Sequence, residues 1–555
     1  MLVVPGVSLA PSLATAQVET VPITNQVYEF LDRLGVMGIL PLYSSASVPI
    51  SRREVAGLLA TATRERERLS PTEQRFLDKF RNEFAWELGI FDDPFVLFGS
   101  HASSAELFEG AGSDREKFLY AYRDSSATLF MEFVGSAEYR AITGDSYGKA
   151  HVALGSIGGR FRGTIRDILG YSLQSTNGQV WGDRAFALSD RRLAENVKFN
   201  DLASPNFDQT EAALRIDAGA FTVQLGREFT RIGPGYSDKL ILSDNAPVFD
   251  AIRLDAHYRS FRLTFLHGSI LQDAHPFPGL DNLAPEGTNK YLALHRFQFS
   301  LFDVMNFAAS EMVIYQRVTP EYAYLNPVNF FKSSEHQLRD RDNAILVFDT
   351  EVFPVAGLKA YGTWLIDDIT FSRMGTGWWG NEFGWQGGVY LTDVGGWRGV
   401  DAIAEYTRLE PYVYSNRLQG NDYTHNDQSL GHHLEPNSDE WFLELRYRAT
   451  ERLRLRLAAT GARHGANITG ADSVVLNVGG SALQGHRAQD AETVHFLDGL
   501  RETMSTLRFR CDYEAVTNIV LTGLLEYRAR TTHTAMGEAL HLKDTYGSVA
   551  LRLEF

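Results

Sequence analysis

The feature that most limits the fold is a period-two alternation running from about Gly89 to the last residue. In the closing stretch "YGSVALRLEF", Val549, Leu551, Leu553 and Phe555 fall on one side and Ser548, Ala550, Arg552 and Glu554 on the other, because successive strand side chains point to opposite faces. "AIRLDAHY" sets Ile252, Leu254, Ala256 and Tyr258 against Arg253, Asp255 and His257, and "SFRLTFLHG" aligns Phe261, Leu263 and Phe265. "WFLELRYR" and "ERLRLRLAA" repeat the pattern with leucines on one face and arginines on the other. A final strand patterned to its last aromatic is expected to close a sheet, since closure removes exposed edges.

Alternation alone fits a soluble sandwich as well, so connection lengths decide. Links are short at Asp217–Ala220, Tyr258–Ser260, Pro354–Leu358, Thr450–Arg452 and Ala515–Asn518. They are long and rich in Gly, Asn and Asp at roughly 170–206, 229–249, 270–289, 317–342, 410–438 and 464–503. Short turns at one rim and long loops at the other are the pattern of outer-membrane barrels; a compact soluble domain rarely carries such loops. Counting back in pairs from Phe555 places strand starts near 543, 517, 504, 452, 439, 398, 382, 356, 343, 304, 290, 260, 250, 220, 209, 159, 147 and 127, which is 18 strands. The expected fold class is an all-β transmembrane barrel of about 18 antiparallel strands with a small N-terminal α-helical periplasmic domain.

Before the barrel the period changes. Ser51 with Glu54 and Ser70 with Glu73 form S-x-x-E capping boxes, the second with Pro71 at the first helical position, and "NQVYEFLDRLGV" adds a further helix. The expected organisation is a leader over 1–16 ending at the A-x-A pattern Ala14-Thr15-Ala16, a helical bundle over 17–92, a linker or extra strands over 93–126, and the barrel over 127–555. "EKFLYAYRD" belongs either to the linker or to an additional pair with "DPFVLFGSH". No run reaches the roughly 18 apolar residues of a spanning helix.

A net charge of −16 argues against nucleic acid as a partner. The single cysteine, Cys511, excludes an internal disulfide and a thiolate metal cluster. No Walker loop and no H-E-x-x-H is present, and no catalytic set is singled out, so no enzyme and no cofactor are expected. The loop "HNDQSLGHHLEPNSDE" holds His425, His432 and His433, but its spacing defines no ligand set, and no metal site is expected.

Arginine outnumbers lysine 44 to 9. The alternation turns Arg446, Arg448, Arg452, Arg454, Arg456, Arg508, Arg510, Arg528, Arg530 and Arg552 inward with Glu444, Asp512, Glu526 and Glu554. Such a wall is either an ion-paired lumen holding barrel and plug in shape or an electropositive surface for an anionic polymer. Trp181, Tyr236, Trp378, Trp379, Tyr412 and Tyr414 stand in long loops as exposed-looking aromatics, suited to sugar C–H faces, to an interface girdle or to loop packing. With Arg446, Arg454 and Arg508 they form the candidate polysaccharide-binding set, "GTGWWGNEF" being the best placed.

The segment "GREFTRIGPGYSDKLILSDNAPVFDAIRL" resembles the Wzi-like family of capsule-assembly outer-membrane proteins through Gly226, Arg227, Gly233-Pro234-Gly235, Leu242, Ser243, Asn245-Ala246-Pro247 and Asp250. "YLALHRF", "EYAYLNPVNFF", "DNAILVFDTEVFP" and "YGTWLIDD" follow in family order. The resemblance implies an 18-stranded outer-membrane barrel with a periplasmic helical bundle, a non-enzymatic lectin holding capsular or other surface polysaccharide to the cell. Its motif residues read as structural: Gly233-Pro234-Gly235 as a tight turn and Asn245-Ala246-Pro247 as a stop before the next strand, folding a long loop into the barrel mouth. The expected partners are polysaccharide and outer-membrane lipid. A diffusion channel with an Arg-lined lumen is the alternative.

Overall fold

The computed structural model describes residues 17–90, 94–99, 109–200, 202–272, 287–469, 474–533 and 538–555; the expected leader over 1–16 lies outside them. Eighteen antiparallel strands, each paired with its neighbours in sequence, form a closed barrel. They are β1 (Thr128–Gly144), β2 (Gly148–Ile165), β3 (Leu169–Gly182), β4 (Asn206–Asp217), β5 (Phe221–Arg227), β6 (Asp250–Tyr258), β7 (Phe261–Ile270), β8 (Asn289–Leu301) and β9 (Met305–Arg317). The second half runs β10 (Asn343–Val355), β11 (Leu358–Asp368), β12 (Glu382–Leu391), β13 (Val400–Leu409), β14 (Ser438–Arg448), β15 (Leu453–Ala466), β16 (Leu500–Val516), β17 (Ile519–His533) and β18 (Ala539–Glu554). β18 pairs with β1 from Asp544↔Gly144 to Glu554↔Val134, and Phe555 exchanges two backbone hydrogen bonds with Phe133. The last residue thus completes the seam.

One strand start departs from the expected list. β2 runs through residue 159, and β3, starting at Leu169, lies almost wholly within the link expected over 170–206. The glycines of "GSIGGRFRG" hide the alternation: a Cβ at Gly158 would sit 1.9 Å from the Ser175 carbonyl oxygen and one at Gly163 2.0 Å from that of Thr128. Those positions need close backbone approach and carry no apolar signal.

Outward aliphatic and aromatic residues such as Leu443, Leu445, Leu507, Leu525, Val549, Trp441 and Tyr527 stand exposed in a lipid-facing band. Near the loop end the wall of β7–β10 is covered instead by the 318–342 loop, where Tyr324 and Phe331 pack on Phe265, Tyr291, Val313 and Tyr315.

The lumen is filled in two ways. On the β7–β13 side, inward Leu292, Leu294, Met312 and Val347 pack against Ile232 and Leu240–Leu242 of the 228–249 segment and Tyr414, Tyr423 and Leu430 of the 410–437 loop. At the turn end sits a helical domain of α1 (Val27–Val36), α2 (Arg52–Arg64) and α3 (Pro71–Glu83), cored by Phe30, Phe76 and Phe80. Ser70 and Glu73 make the reciprocal capping box before α3. At α2 only half of the expected box forms: Ser51 accepts the Glu54 N–H at 3.1 Å, while the Glu54 carboxylate pairs with Arg262 of β7. Phe95–Val96 pairs in parallel with Lys117–Phe118, and Tyr120–Arg123 pairs with the start of β1.

Buried ions seat this domain. The Arg33 guanidinium, 1% exposed, pairs with Glu73 (2.6 Å) of its own domain, with Asp393 (2.7 Å) of the β12–β13 turn and with Asp401 of β13. Lys359 of β11 reaches Asp32 at 2.9 Å, and Glu29 accepts from Arg448 (2.9 Å) and Arg456 (2.5 Å). Breaking a buried pair by removing one partner costs about 3–5 kcal/mol. Arg33→Ala is therefore expected to release the helical domain. Limited trypsin digestion in detergent then cleaves at Arg64–Arg68 while the barrel keeps its heat-modifiable gel mobility; protection equal to the parent protein would show that Arg33 does not seat the domain.

A second tie joins the inner segments. His433 lies between Asp238 (Nδ1 to Oδ2, 3.2 Å) and Glu440 (Nε2 to Oε2, 3.4 Å). Burial works against its charge, but the two carboxylates override it and raise the imidazole to about 10. A raised folded-state pKa contributes stability that is complete below the unfolded value of about 6.5 and is lost as pH climbs toward the folded value. Between pH 7 and 10 the unfolding midpoint of the parent protein is expected to fall more steeply than that of His433→Gln; parallel slopes would rule this tie out.

Candidate functional site

At the loop end, beside β10–β12, lies a cleft of about 330 Å³. The 369–381 loop supplies its aromatic wall. Trp379 stacks on His486 with ring centroids 3.8 Å apart and planes at 4°, and meets Trp378 at 5.5 Å and Tyr412 at 5.8 Å. The loop is held by a bridge from Trp378 to Thr493 and by the Trp379 N–H donating to the Glu492 carbonyl at 3.3 Å. The Trp378 indole N–H has no acceptor among the described residues, and Arg373 lies over its ring at 4.8 Å. Burial lowers the His486 imidazole below its ordinary value.

The opposite side is polar: Lys332, Glu335 and Asp342 from the 318–342 loop, Asn343 from the start of β10, Asp367, Asp368 and Glu382 from the facing ends of β11 and β12, and Ser415, Asn416 and Arg417 from the 410–437 loop. Burial pushes Glu335 up to about 7 despite the Lys332 ammonium 2.8 Å away. A concave site with an aromatic wall and convergent hydrogen-bonding groups is the arrangement that orients a polyhydroxyl ligand.

Of the six aromatics only Trp378 and Trp379 line this cleft. Tyr412 and Tyr414 are fully buried in left-handed backbone (φ +68° and +71°), with their hydroxyls on the Asn477 (3.2 Å) and Leu240 (2.7 Å) carbonyls. They are scaffold, because their loop folds inward onto the lumen core. Tyr236 is also no loop-tip residue. It lies in the lumen with its hydroxyl on Asp32 and its ring against Tyr361 and Tyr390. Trp181 is in β3, not a loop, and faces outward over Gly155.

The arginines occupy a different place. Arg446 and Arg454 line a lumenal cavity of about 650 Å³ between the helical domain, the 228–249 segment and β14–β18, where eleven basic side chains face eleven acidic ones. Arg446 pairs with Glu444, and Arg454 is 9% exposed. Arg508 faces the lumen half-exposed and pairs with Glu526 at 2.6 Å, as Arg528 does. Arg452 is in the β14–β15 turn, bonded to Asp114 and the Ala515 carbonyl, not on the wall. The balanced lining matches an ion-paired lumen better than an electropositive wall.

The motif residues surround the 228–249 segment. A Cβ at Gly226 would meet the Ala212 carbonyl at 2.5 Å, and Arg227 forks onto Asp250 at 3.1 and 2.7 Å. Gly233 takes φ +123°, and Pro234 and Gly235 are buried beside it, Gly235 where a Cβ would strike Gln386. Ser243 and Asn245 donate to the Gly431 carbonyl at 2.6 and 2.8 Å, Ala246 joins the lumen core, and Pro247 leads to β6. Of the His loop, His425 accepts from the Leu271 N–H, apart from the other two. Asp238, His432 and His433 come together, but the His432 Nδ1 accepts the Leu434 N–H and both nitrogens of His433 face carboxylates.

Sequence reasoning missed Asp367, Glu382, Asn416 and His486. The one signal was an acid at the inward-facing end of a strand beside a long loop, "LIDD".

Residues 125–535 match the family model described as capsule assembly protein Wzi. Among solved structures, Wzi of Escherichia coli, whose title describes an outer-membrane protein involved in group 1 capsule assembly and a carbohydrate-binding β-barrel, superposes with TM-score 0.58 at 13% identity. The match covers 97% of this chain and 99% of that one. Pseudomonas aeruginosa OccK8 (OprE) gives TM-score 0.42 at 9% identity, and Acinetobacter baumannii OccAB2 gives 0.44 at 9%, each over 77% of this chain and 98% of the other. No curated protein matches the chain. With the family model spanning well over half of its length, the chain belongs to the Wzi capsule assembly family and is an integral β-barrel of the outer membrane.

Proposed function

We propose that the protein is a non-enzymatic outer-membrane lectin, holding capsular or other surface polysaccharide in the loop-end cleft beside Trp378 and Trp379. The observation that carries this reading is the pairing of an aromatic wall with convergent carboxylate, amide and ammonium groups at the rim that faces the medium. Rings cover sugar C–H faces, and the polar side orients hydroxyls. Membership of a capsule assembly family supports it, as does a structural neighbour whose title names a carbohydrate-binding barrel. A lumen filled by the helical domain and two inner segments suits a binder better than a diffusion channel. The half-exposed Arg508, Arg528, Arg530 and Arg552 are the feature that favours the channel, and planar-bilayer conductance separates the two readings.

The test compares cell-bound with shed polysaccharide in cells lacking the gene and in cells carrying Trp378→Ala/Trp379→Ala at equal barrel abundance. Total polymer is expected to stay constant while most of the cell-bound fraction moves to the medium. An unchanged partition in the deletion strain overturns the lectin reading; loss in the deletion strain but not in the double variant moves the binding site away from the cleft.

A further inference from the structure

The outer wall carries charge where lipid should meet it. His295 of β8 and Glu311 of β9 are register partners whose side chains point away from the lumen, with Nε2 and Oε2 3.0 Å apart. Glu311 stands six residues on from Met305, the turn end of β9, about 15 Å up the barrel axis for a strand rise of ~3.3 Å and a tilt of ~40°. Leu525, equally far from the turn end of β17, is 56% exposed in the lipid-facing band. A bare ion pair at that height is costly, and the 318–342 loop covers it. The loop descends the outside of the barrel: the Phe331 ring stacks on His295 at 4.3 Å, and the Phe331 and Lys332 N–H groups donate to Glu311 at 2.8 and 3.4 Å. A loop packed at this depth takes over the lipid contact of the wall beneath it. Over 322–330 it exposes Tyr322 (86%), Leu325, Val328 and Phe330, with Asn326 the one polar residue among them.

At the top of this face lies a second cleft, of about 360 Å³, lined in part by Arg317, Thr319, Tyr322, Arg341 and Gln419. Arg317 is twelve residues on from Met305, about 30 Å up the axis and so just above an apolar band ~25 Å tall, at headgroup height. The acids of the loop are already taken. Asp342 pairs with Arg317 at 3.0 Å and Glu321 lies 3.9 Å from the same guanidinium, while Glu335 pairs with Lys332 at 2.8 Å and Asp340 with Arg417 at 3.8 Å. Arg341 feels the charge of Asp342, but among the described residues it has no ion pair, and its side chain makes one hydrogen bond, from Nε to the Leu338 carbonyl at 3.2 Å. Arg339, two residues earlier, is exposed and likewise has no ion pair there.

We propose that the 318–342 loop and this second cleft bind a phosphorylated glycolipid of the outer leaflet. Its phosphate meets the guanidiniums of Arg341 and Arg339, its headgroup sugar lies in the cleft against Thr319 and Gln419, and its acyl chains run down past Tyr322, Val328 and Phe330. The exposed apolar face is continuous with the lipid-facing band, which identifies the tail; two unpaired guanidiniums at headgroup height identify the head, because their planar forks match phosphate oxygens and basic pockets at that level take anionic lipid headgroups. The lipid site does not depend on the lectin reading, whose cleft lies on the other side of Leu418.

The full-length protein in detergent is titrated with diphosphoryl lipid A and with the same lipid stripped of both phosphates, and bound lipid is counted by native mass spectrometry. Saturable binding of the phosphorylated form is expected, weakened about tenfold or more by loss of the phosphates and by Arg339→Gln/Arg341→Gln. Trp378→Ala/Trp379→Ala is expected to bind lipid A as the parent protein does. Depth is read in lipid vesicles from a bimane label on Val328→Cys in a Cys511→Ser background: nitroxides on the acyl chains are expected to quench it, and aqueous iodide to leave it bright. No saturable binding, equal affinity for the two lipids, undiminished binding by the arginine variant, a matching loss in the tryptophan variant, or a label quenched by iodide and not by lipid nitroxide each overturns the site. The label measurement needs no arginine variant, so it still decides should that variant fail to fold.

Discussion

Closing eighteen strands leaves a lumen too wide for the barrel's own side chains to fill, and the rest of the structure follows from how that space is occupied. Side chains facing inward must find partners there, and the two halves of the wall find different ones. Where β7–β13 turn leucines, valines and methionine inward, the chain sends in the 228–249 and 410–437 segments and forms an apolar core. Where the wall turns arginines inward, Glu29 of the helical domain takes Arg448 and Arg456, and carboxylates of the wall itself, such as Glu444 and Glu526, take others. Asp401 shows how closely the parts are tied: fully buried, it takes Arg33 from the helical domain, Arg448 from the next strand and the Tyr390 hydroxyl. Removing any one of these cations leaves charge with no water to stabilise it.

The filled lumen also fixes the outer cleft. Tyr414 joins the two, its ring within the core, its hydroxyl on the Leu240 carbonyl and its N–H on the Asp367 carboxylate at the cleft floor. Its neighbour Tyr412 touches Trp379. Loops of this length are ordinarily the least stable part of a barrel, yet these are anchored from below by buried tyrosines and from the side by the Trp378–Thr493 bridge. A rim built in this way is preorganised, and a binder gains affinity by not having to order its loops on contact.

Much of the barrel was legible because period-two alternation survives wherever one face meets lipid and the other the lumen. It failed at β2 and β3, where Gly158 and Gly163 are demanded by backbone approach and carry no side-chain signal. The inward direction of the arginines could be read from parity, since Leu443, Leu445, Leu507 and Leu525 mark the outside. Their partners could not: Arg456 pairs with Glu29, more than four hundred residues away. Aromatics in glycine-rich loops gave no indication of depth, so Tyr236, Tyr412 and Tyr414 looked like surface residues when they are anchors. Asp367 and Glu382 come to one cleft only through the pairing of β11 with β12, and Asn416 and His486 join them only after two long loops fold back.

Charge distribution gives the arginine excess its meaning. The chain carries −16 overall, yet its lumenal cavity is lined evenly by both signs. Many of the guanidiniums are used internally, as planar forks matched to buried carboxylates, and say more about architecture than about ligand. Part of the surplus acid appears at the loop end, where six carboxylates line the cleft against Lys332 and Arg417. The cleft at the rim is therefore acidic and aromatic, while those arginines lie within the lumen.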